Sequence, residues 1–170
     1  MKRFYILLIG AVAAERVAEL VVSQRNLSWS RAQGGREFGA GHYPAMVVLH
    51  SALLAGCLAE VVLLRRRFDG RLGWPMLAVV LFAQGLRWWC IATLGRQWNT
   101  RVVIVPGAQR VSSGPYRVVP HPNYLAVVAE GAALPLVHSA WITASVFSVL
   151  NAALLRTRIR IENRALESLT

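Results

Sequence analysis

The sequence predicts an all-α, polytopic membrane protein. About five transmembrane helices are expected, the last two forming a helical hairpin, with a long cytosolic loop ahead of it. Three observations carry this. Hydrophobic residues make up 55% of the 170-residue chain, and the mean hydropathy of +0.44 is too high for an ordinary soluble domain. Apolar runs recur at about 4–22, 44–64, 74–94, 122–137 and 141–155, most of them near the roughly 20 residues a spanning helix needs. The net charge of +11 sits largely on arginines clustered between those runs. Anionic headgroups and the positive-inside rule account for arginines so placed, so no nucleic-acid partner is expected. The chain reads as a single domain, residues 1–170, that shares its core with lipid.

Lys2 and Arg3 followed by an apolar run imitate a signal peptide. However, Glu15, Arg16 and Glu19 interrupt the run and no small-residue cleavage site follows, which predicts a retained helix. Glu15 and Glu19 share a helical face and Arg16 can pair with one of them, an arrangement tolerable in lipid only if turned towards protein or water. Ser23 to Tyr43, with Asn26 and four glycines, reads as a polar connection. The second span, from Pro44, stops at Arg65, Arg66 and Arg67. The third, from Trp74, contains Arg87, and Trp74, Trp88 and Trp89 suit interface anchors. Cys57 and Cys90 lie inside apolar runs and read as packing residues, with neither disulfide nor metal-site spacing. His50 reads as a satisfied buried histidine.

Gly95 to His121 holds no run long enough to cross, although Val102 to Val105 suits a short strand or a segment lying against the bilayer surface. The span from Pro122 is short. Only His138 to Ala140 separate it from the span starting at Trp141, which forces a hairpin. Arg156 to Thr170 is expected to leave the membrane as a charged helix.

Five crossings place the termini on opposite sides. One side then holds Lys2, Arg3, Arg65, Arg66, Arg67 and Arg71, six cations. The other holds eleven, at 25, 31, 36, 96, 101, 110, 117, 156, 158, 160 and 164. The positive-inside rule puts the second side in the cytosol, against the pull of the Arg65 to Arg67 run. In that orientation Glu15, Arg16, Glu19, His50, Arg87, Glu130 and Asn151 all fall in the cytosolic half, and only Glu60 in the other. A polar cavity opening to the cytosol is the expectation.

The most chemically specific stretch is Ser112 to Tyr124, SSGPYRVVPHPNY. Pro115, Pro120 and Pro122 forbid a continuous helix before Pro122, where one can begin. His121 should therefore sit beside unpaired helix-start N–H groups, a place to hold something polar. Alone, HPNY is often just a turn that starts a helix. Arg158 and Glu162, at i and i+4, could likewise be a solvated pair worth a few tenths of a kcal/mol. The hairpin, however, returns Arg158 and Glu162 towards Tyr116, and that convergence favours a site.

Gly114-Pro115-Tyr116, His121-Pro122-Asn123-Tyr124, the hairpin and Arg158-x-x-x-Glu162 together resemble the isoprenylcysteine carboxyl methyltransferase family of integral membrane methyltransferases, over roughly the last 75 residues. Glu15 to Asn26 and Gly34 to His50 look like its small bacterial branch associated with type III polyketide synthases. The resemblance implies S-adenosyl-L-methionine as cofactor, contacted by Ala108, Gln109, Arg110, Val111, Tyr116, His121, Pro122, Asn123, Tyr124 and Glu162, with Arg158 facing the acceptor. It also implies a polyketide synthase in the same pathway and a lipophilic acceptor from the membrane, best matched by an alkylpyrone or alkylresorcinol hydroxyl. Three positions depart from the family pattern. Pro120 replaces an arginine, Asn163 a second glutamate and Ala108 a histidine, and Arg117 or Arg158 could supply the missing cation.

The residue types suit that ligand. A sulfonium, an amino-acid end and an adenosine want a carboxylate, N–H donors and aromatic faces, which Glu162, the helix start at His121, and Tyr116 with Tyr124 provide. A resorcinol hydroxyl would benefit from a proton acceptor, and Glu130, about 12 Å along the helix from Pro122, is the candidate catalytic residue beside Arg158. Its alternative is a structural pair with Arg87. An isoprenylcysteine carboxylate or a phospholipid amine stays open as acceptor, as does a noncatalytic carrier or anchor subunit.

Overall fold

A computed structural model describes residues 1–167, most of them in five helices: α1 (Lys2–Ala32), α2 (Tyr43–Leu63), α3 (Gly70–Leu94), α4 (Pro122–Leu136) and α5 (Trp141–Glu167). Strands β1 (Arg36–Phe38) and β2 (Val102–Ile104) pair antiparallel with Glu37 opposite Val103. The expected short strand thus forms, as does the charged extension of the last helix. Residues 168–170 of that extension lie outside the described residues.

Helix ends follow local chemistry. Pro44 and Pro122 occupy first turns, where a missing N–H removes no helical bond. Helix α3 starts at Gly70, ahead of the expected Trp74, because the Asp69 side chain accepts from the Arg71 N–H at 2.9 Å and satisfies an orphan donor. After α4 the chain turns through Ser139 at φ 57°, and the Ala140 N–H closes onto the Pro135 carbonyl at 3.0 Å. The predicted hairpin results. Glu60 of α2 caps the start of α5, accepting from the N–H groups of Ile142 (3.2 Å) and Thr143 (2.7 Å) while paired with Arg66.

One expectation fails. Ser23 to Tyr43 is not a loop throughout, since α1 continues to Ala32. The residues at 19, 23, 26, 27 and 30 are buried along one face of α1, and tertiary partners on that face hold a polar sequence helical where its composition alone would not.

Helices α2 and α3, with their adjoining turns (Ala40–Leu63 and Gly70–Gln97), are long and apolar enough to cross a membrane by length and composition. The apolar core gathers Tyr5, Ile9, Val12, Leu53, Cys57, Val61, Val80, Leu134, Val137 and Phe147. It fills the half of the bundle remote from the Gly95–His121 loop. The buried polar residues Glu19, Arg87 and Asn151 occupy the other half, as their positions along the runs predict, together with Ser23, Asn26 and Arg158 from beyond the runs.

The α4–α5 contact depends on Gly131, where an added Cβ would stand 2.0 Å from Phe147 Cε1. Gly131→Ala is expected to destabilise by about 1–3 kcal/mol through overpacking. Gly85→Ala, with nothing within 4 Å of the added carbon, should be neutral or stabilising by up to about 1 kcal/mol. Thermal unfolding in detergent reads the difference, and equal melting temperatures for the two variants would refute the tight hairpin.

Candidate functional site

The loop after α3 is held down by the unexpected end of α1. Asn26 Nδ2 donates to the carbonyls of Gly95 (3.1 Å) and Trp98 (2.7 Å). Ser23 Oγ donates to Asn99 Oδ1 (2.9 Å) and accepts from the Thr100 N–H (3.0 Å). Strand β2 then pairs with β1 and, with Phe38, packs on Ala165 and Leu166 of α5. Arg101 joins this ribbon to α2, bonded to Glu37 at 2.7 Å and lying 4.1 Å over the Tyr43 ring. The Gly114-Pro115-Tyr116 turn sits against α3. Gly114 adopts φ 55°, and a Cβ there would meet Thr93 Oγ1 at 2.7 Å, so a side chain would both strain the turn and push it off α3. Tyr116 is thereby placed against Cys90, and burial pushes its hydroxyl well above the usual phenol range, leaving it a neutral group.

Between this loop and the ends of α4 and α5 lies a cavity of about 600 Å³, within the roughly 300–1,000 Å³ of small-molecule sites. Its wall includes Ala108, Gln109, Arg110, Val111, Tyr116, His121, Asn123, Tyr124, Arg158 and Glu162, residues the sequence singles out. Pro122 starts α4 behind His121 and is not in the wall. All three departures from the family pattern, Pro120, Ala108 and Asn163, line the cavity, and Asn163 Oδ1 accepts from His121 Nε2 at 3.2 Å. Arg110 and Arg158 are wall cations; Arg117 is not in the wall.

The polar groups form a chain. Arg158 Nε donates to the Tyr124 hydroxyl at 2.9 Å, and that hydroxyl donates to Glu162. His121 stacks on Tyr124 with ring centroids 5.3 Å apart and has Nδ1 3.7 Å from Glu162. The i and i+4 pair is therefore linked through Tyr124, which fixes the Glu162 carboxylate while leaving its second oxygen beside His121. Arg158 Nη1 also contacts Met46 Sδ of α2 at 2.7 Å.

A second, narrower cavity of about 160 Å³ runs down between α1, α2, α4 and α5. Trp98, Asn99, Asn123, Tyr124 and Arg158 line both cavities, so the two meet there. Below that junction the wall is Leu20, Val47, Leu54, Val127, Leu154 and Leu155 with His50, and then Arg16, Glu19, Arg87 and Asn151. His50 is hydrogen-bonded to the Met46 carbonyl at 2.9 Å, as a satisfied histidine should be.

Glu130 lines neither cavity. It pairs with Arg16 at 3.0 Å, and Arg87 pairs with Glu19, so the alternative Glu130–Arg87 pair is not the one formed. Arg16 also bonds Glu19 at 2.8 Å and Gln84 at 3.0 Å. Glu15, bonded by Gln84 and Trp88, closes the cluster. These groups join α1, α3 and α4 within the bundle.

Sequence reasoning did not identify Ser23, Asn26, Trp98, Asn99, Arg101 or Met46 as parts of the site. A signal existed for the first two: 15, 19, 23, 26 and 30 continue one helical face past the apolar run. Nothing local marks the others.

The model of the isoprenylcysteine carboxyl methyltransferase family matches residues 76–168. A Bacillus subtilis (strain 168) protein, YpbQ, is 39% identical over 162 residues, which cover 95% of each chain. A Haemophilus influenzae protein is 26% identical over 163 residues, 94% of this chain and 93% of that one. No solved structure matches the chain.

Proposed function

The chain belongs to the isoprenylcysteine carboxyl methyltransferase family, whose members are methyltransferases, and from this premise we propose an integral membrane O-methyltransferase that uses S-adenosyl-L-methionine. Its acceptor is a lipophilic hydroxyl compound, best represented by an alkylpyrone or alkylresorcinol. The observation that carries the reading is the junction at which a cavity of about 600 Å³, its wall bearing Arg110, His121, Arg158 and Glu162, meets a narrower and more apolar one on shared Asn123, Tyr124 and Arg158 walls. Such a junction lets a water-borne ligand and a lipid-borne one touch without either leaving its own medium.

The donor set suits the cofactor. Buried Asn123 Oδ1 and Trp98 Nε1 have no partner among the described residues, a condition that an occupied cavity relieves. In the proposal Glu162 and the amides at the start of α4 hold the polar ends, Tyr116 and Tyr124 offer aromatic faces, and residues 108–111 complete the wall. When bound, S-adenosyl-L-methionine supplies a methyl group activated on a sulfonium. The chain's own task is alignment and exclusion of water, which provide most of the acceleration in an in-line displacement. Arg158 orients the acceptor oxygen. Glu130 fixes Arg16 in the acceptor cavity wall and acts through it as a positioning residue. Glu130→Gln is expected to raise the acceptor KM while leaving cofactor affinity unchanged; an unaltered KM would remove the role. Calorimetric titration of folded protein in detergent tests the whole reading, since no heat with either S-adenosyl-L-methionine or its demethylated product would overturn it.

The same reading makes all five helices membrane crossings, with the motif loop in the cytosol. Exposed Leu7, Val17, Val48, Phe82, Val128 and Val149, drawn from every helix, support a lipid-facing exterior. In intact cells an impermeant thiol reagent should label Gly70→Cys and spare Ser112→Cys. The opposite pattern would reverse the orientation.

A further inference from the structure

Eight buried side-chain polar atoms among the described residues lack a hydrogen-bond partner, and five belong to residues lining the narrow cavity: Arg16 Nε, Arg87 Nη1, Trp98 Nε1, Asn123 Oδ1 and Asn151 Oδ1. Native proteins leave few such groups unpaired. Their concentration around about 160 Å³ of otherwise apolar space marks a cavity whose occupant completes the bonds. Trp98 and Asn123 stand at the junction with the large cavity. The other three belong to the far end. Asn151 precedes Arg158 by seven residues on α5 (158 − 151), and Arg16 precedes the junction-holding Ser23 by seven on α1 (23 − 16). Each separation is about 10 Å along a helix.

We propose that Arg16, Arg87 and Asn151 form a second polar subsite that binds a hydroxyl of the acceptor remote from the one methylated. The inference rests on the methyltransferase reading and deepens it. Both guanidinium groups are already fixed. Arg16 Nη1 and Nη2 are committed to Glu19, Gln84 and Glu130, and Arg87 Nη2 donates to Glu19 at 2.6 Å. Their remaining N–H groups are therefore preorganised donors, while Asn151, 2% exposed, contributes an acceptor. A hydroxyl accepts and donates at once and satisfies both kinds of partner. A carboxylate or carbonyl would leave the Asn151 oxygen unpaired, so of the two acceptor types the alkylresorcinol, with its second hydroxyl, fits the subsite and the alkylpyrone, whose other exocyclic oxygen is a carbonyl, does not; an ammonium would leave the guanidinium donors unpaired and add repulsion. Leu20 and Val47 line the cavity between its two polar ends and are exposed on the outside of the bundle. They give the acceptor's hydrocarbon chain a sideways exit into lipid.

The test compares 5-pentadecylresorcinol with 3-pentadecylphenol, which has the same chain and one hydroxyl fewer, as methyl acceptors for the purified protein, after calorimetry has measured cofactor binding. The resorcinol is expected to be turned over with kcat/KM at least about 100-fold higher, because a site built to bond a hydroxyl rejects the analogue lacking it. Asn151→Leu should abolish most of that preference by lowering the resorcinol value alone, with cofactor affinity unchanged. Equal turnover of the two compounds by the wild-type protein overturns the subsite, as does loss of both activities in equal proportion in the variant. Cofactor binding without turnover of either compound also overturns it. Absence of cofactor binding instead sinks the methyltransferase reading beneath it.

Discussion

Replacing Glu19 by alanine is expected to destabilise the protein by about 3–5 kcal/mol, the usual result of breaking a buried ion pair by removing one partner. Glu19 is 2% exposed and receives hydrogen bonds from both Arg16 and Arg87. Without it, Arg87, itself 8% exposed, would be left with a buried charge and no bonded counterion. The loss should appear as a lowered unfolding temperature in detergent. Glu19→Leu combined with Arg87→Leu removes both charges at once and should recover much of the stability, since uncharged residues of similar size can replace a buried pair at little cost. A double variant as unstable as Glu19→Ala would show that the helix contact, and not the stranded charge, was lost.

The second large effect concerns the cofactor. Glu162→Ala should weaken S-adenosyl-L-methionine binding by about 1.5–3 kcal/mol, the range for a hydrogen bond to a charged group, or roughly 10- to 150-fold in Kd. Tyr124→Phe keeps the aromatic face stacked on His121 but removes the hydroxyl that bridges Arg158 and Glu162. Its expected effect on cofactor affinity is smaller than that of Glu162→Ala, because the hydroxyl only positions the Glu162 carboxylate through its two charge-assisted bonds, and the carboxylate itself remains. Titration of both variants decides the matter. Unchanged affinity for Glu162→Ala would make Arg158 and Glu162 a structural pair, whatever Tyr124→Phe does.

Much of the fold and half of the site are written locally. Pro44 and Pro122 start helices at their own positions because proline lacks a donor that the first turn does not use. His138 to Ala140 cannot span a gap, so a hairpin follows from length alone. The resemblance carried by GPY, HPNY and RxxxE places nine of its ten expected cofactor contacts, and Arg158, in one cavity wall. Three things only the tertiary structure decided. Helix α1 runs on to Ala32 because Ser23 and Asn26 find partners in the loop after α3, and a sequence window does not contain those partners. Glu130 takes Arg16 and Arg87 takes Glu19, because pairing among five charges, three of them buried, follows the distances between packed helices, which composition leaves open. The narrower cavity joins the larger one because Tyr124, Arg158 and Trp98 come from separate elements that meet only when the bundle closes. A wall shared by residues far apart in the chain has no local signature, since no nearby residue's chemistry depends on it until the helices pack.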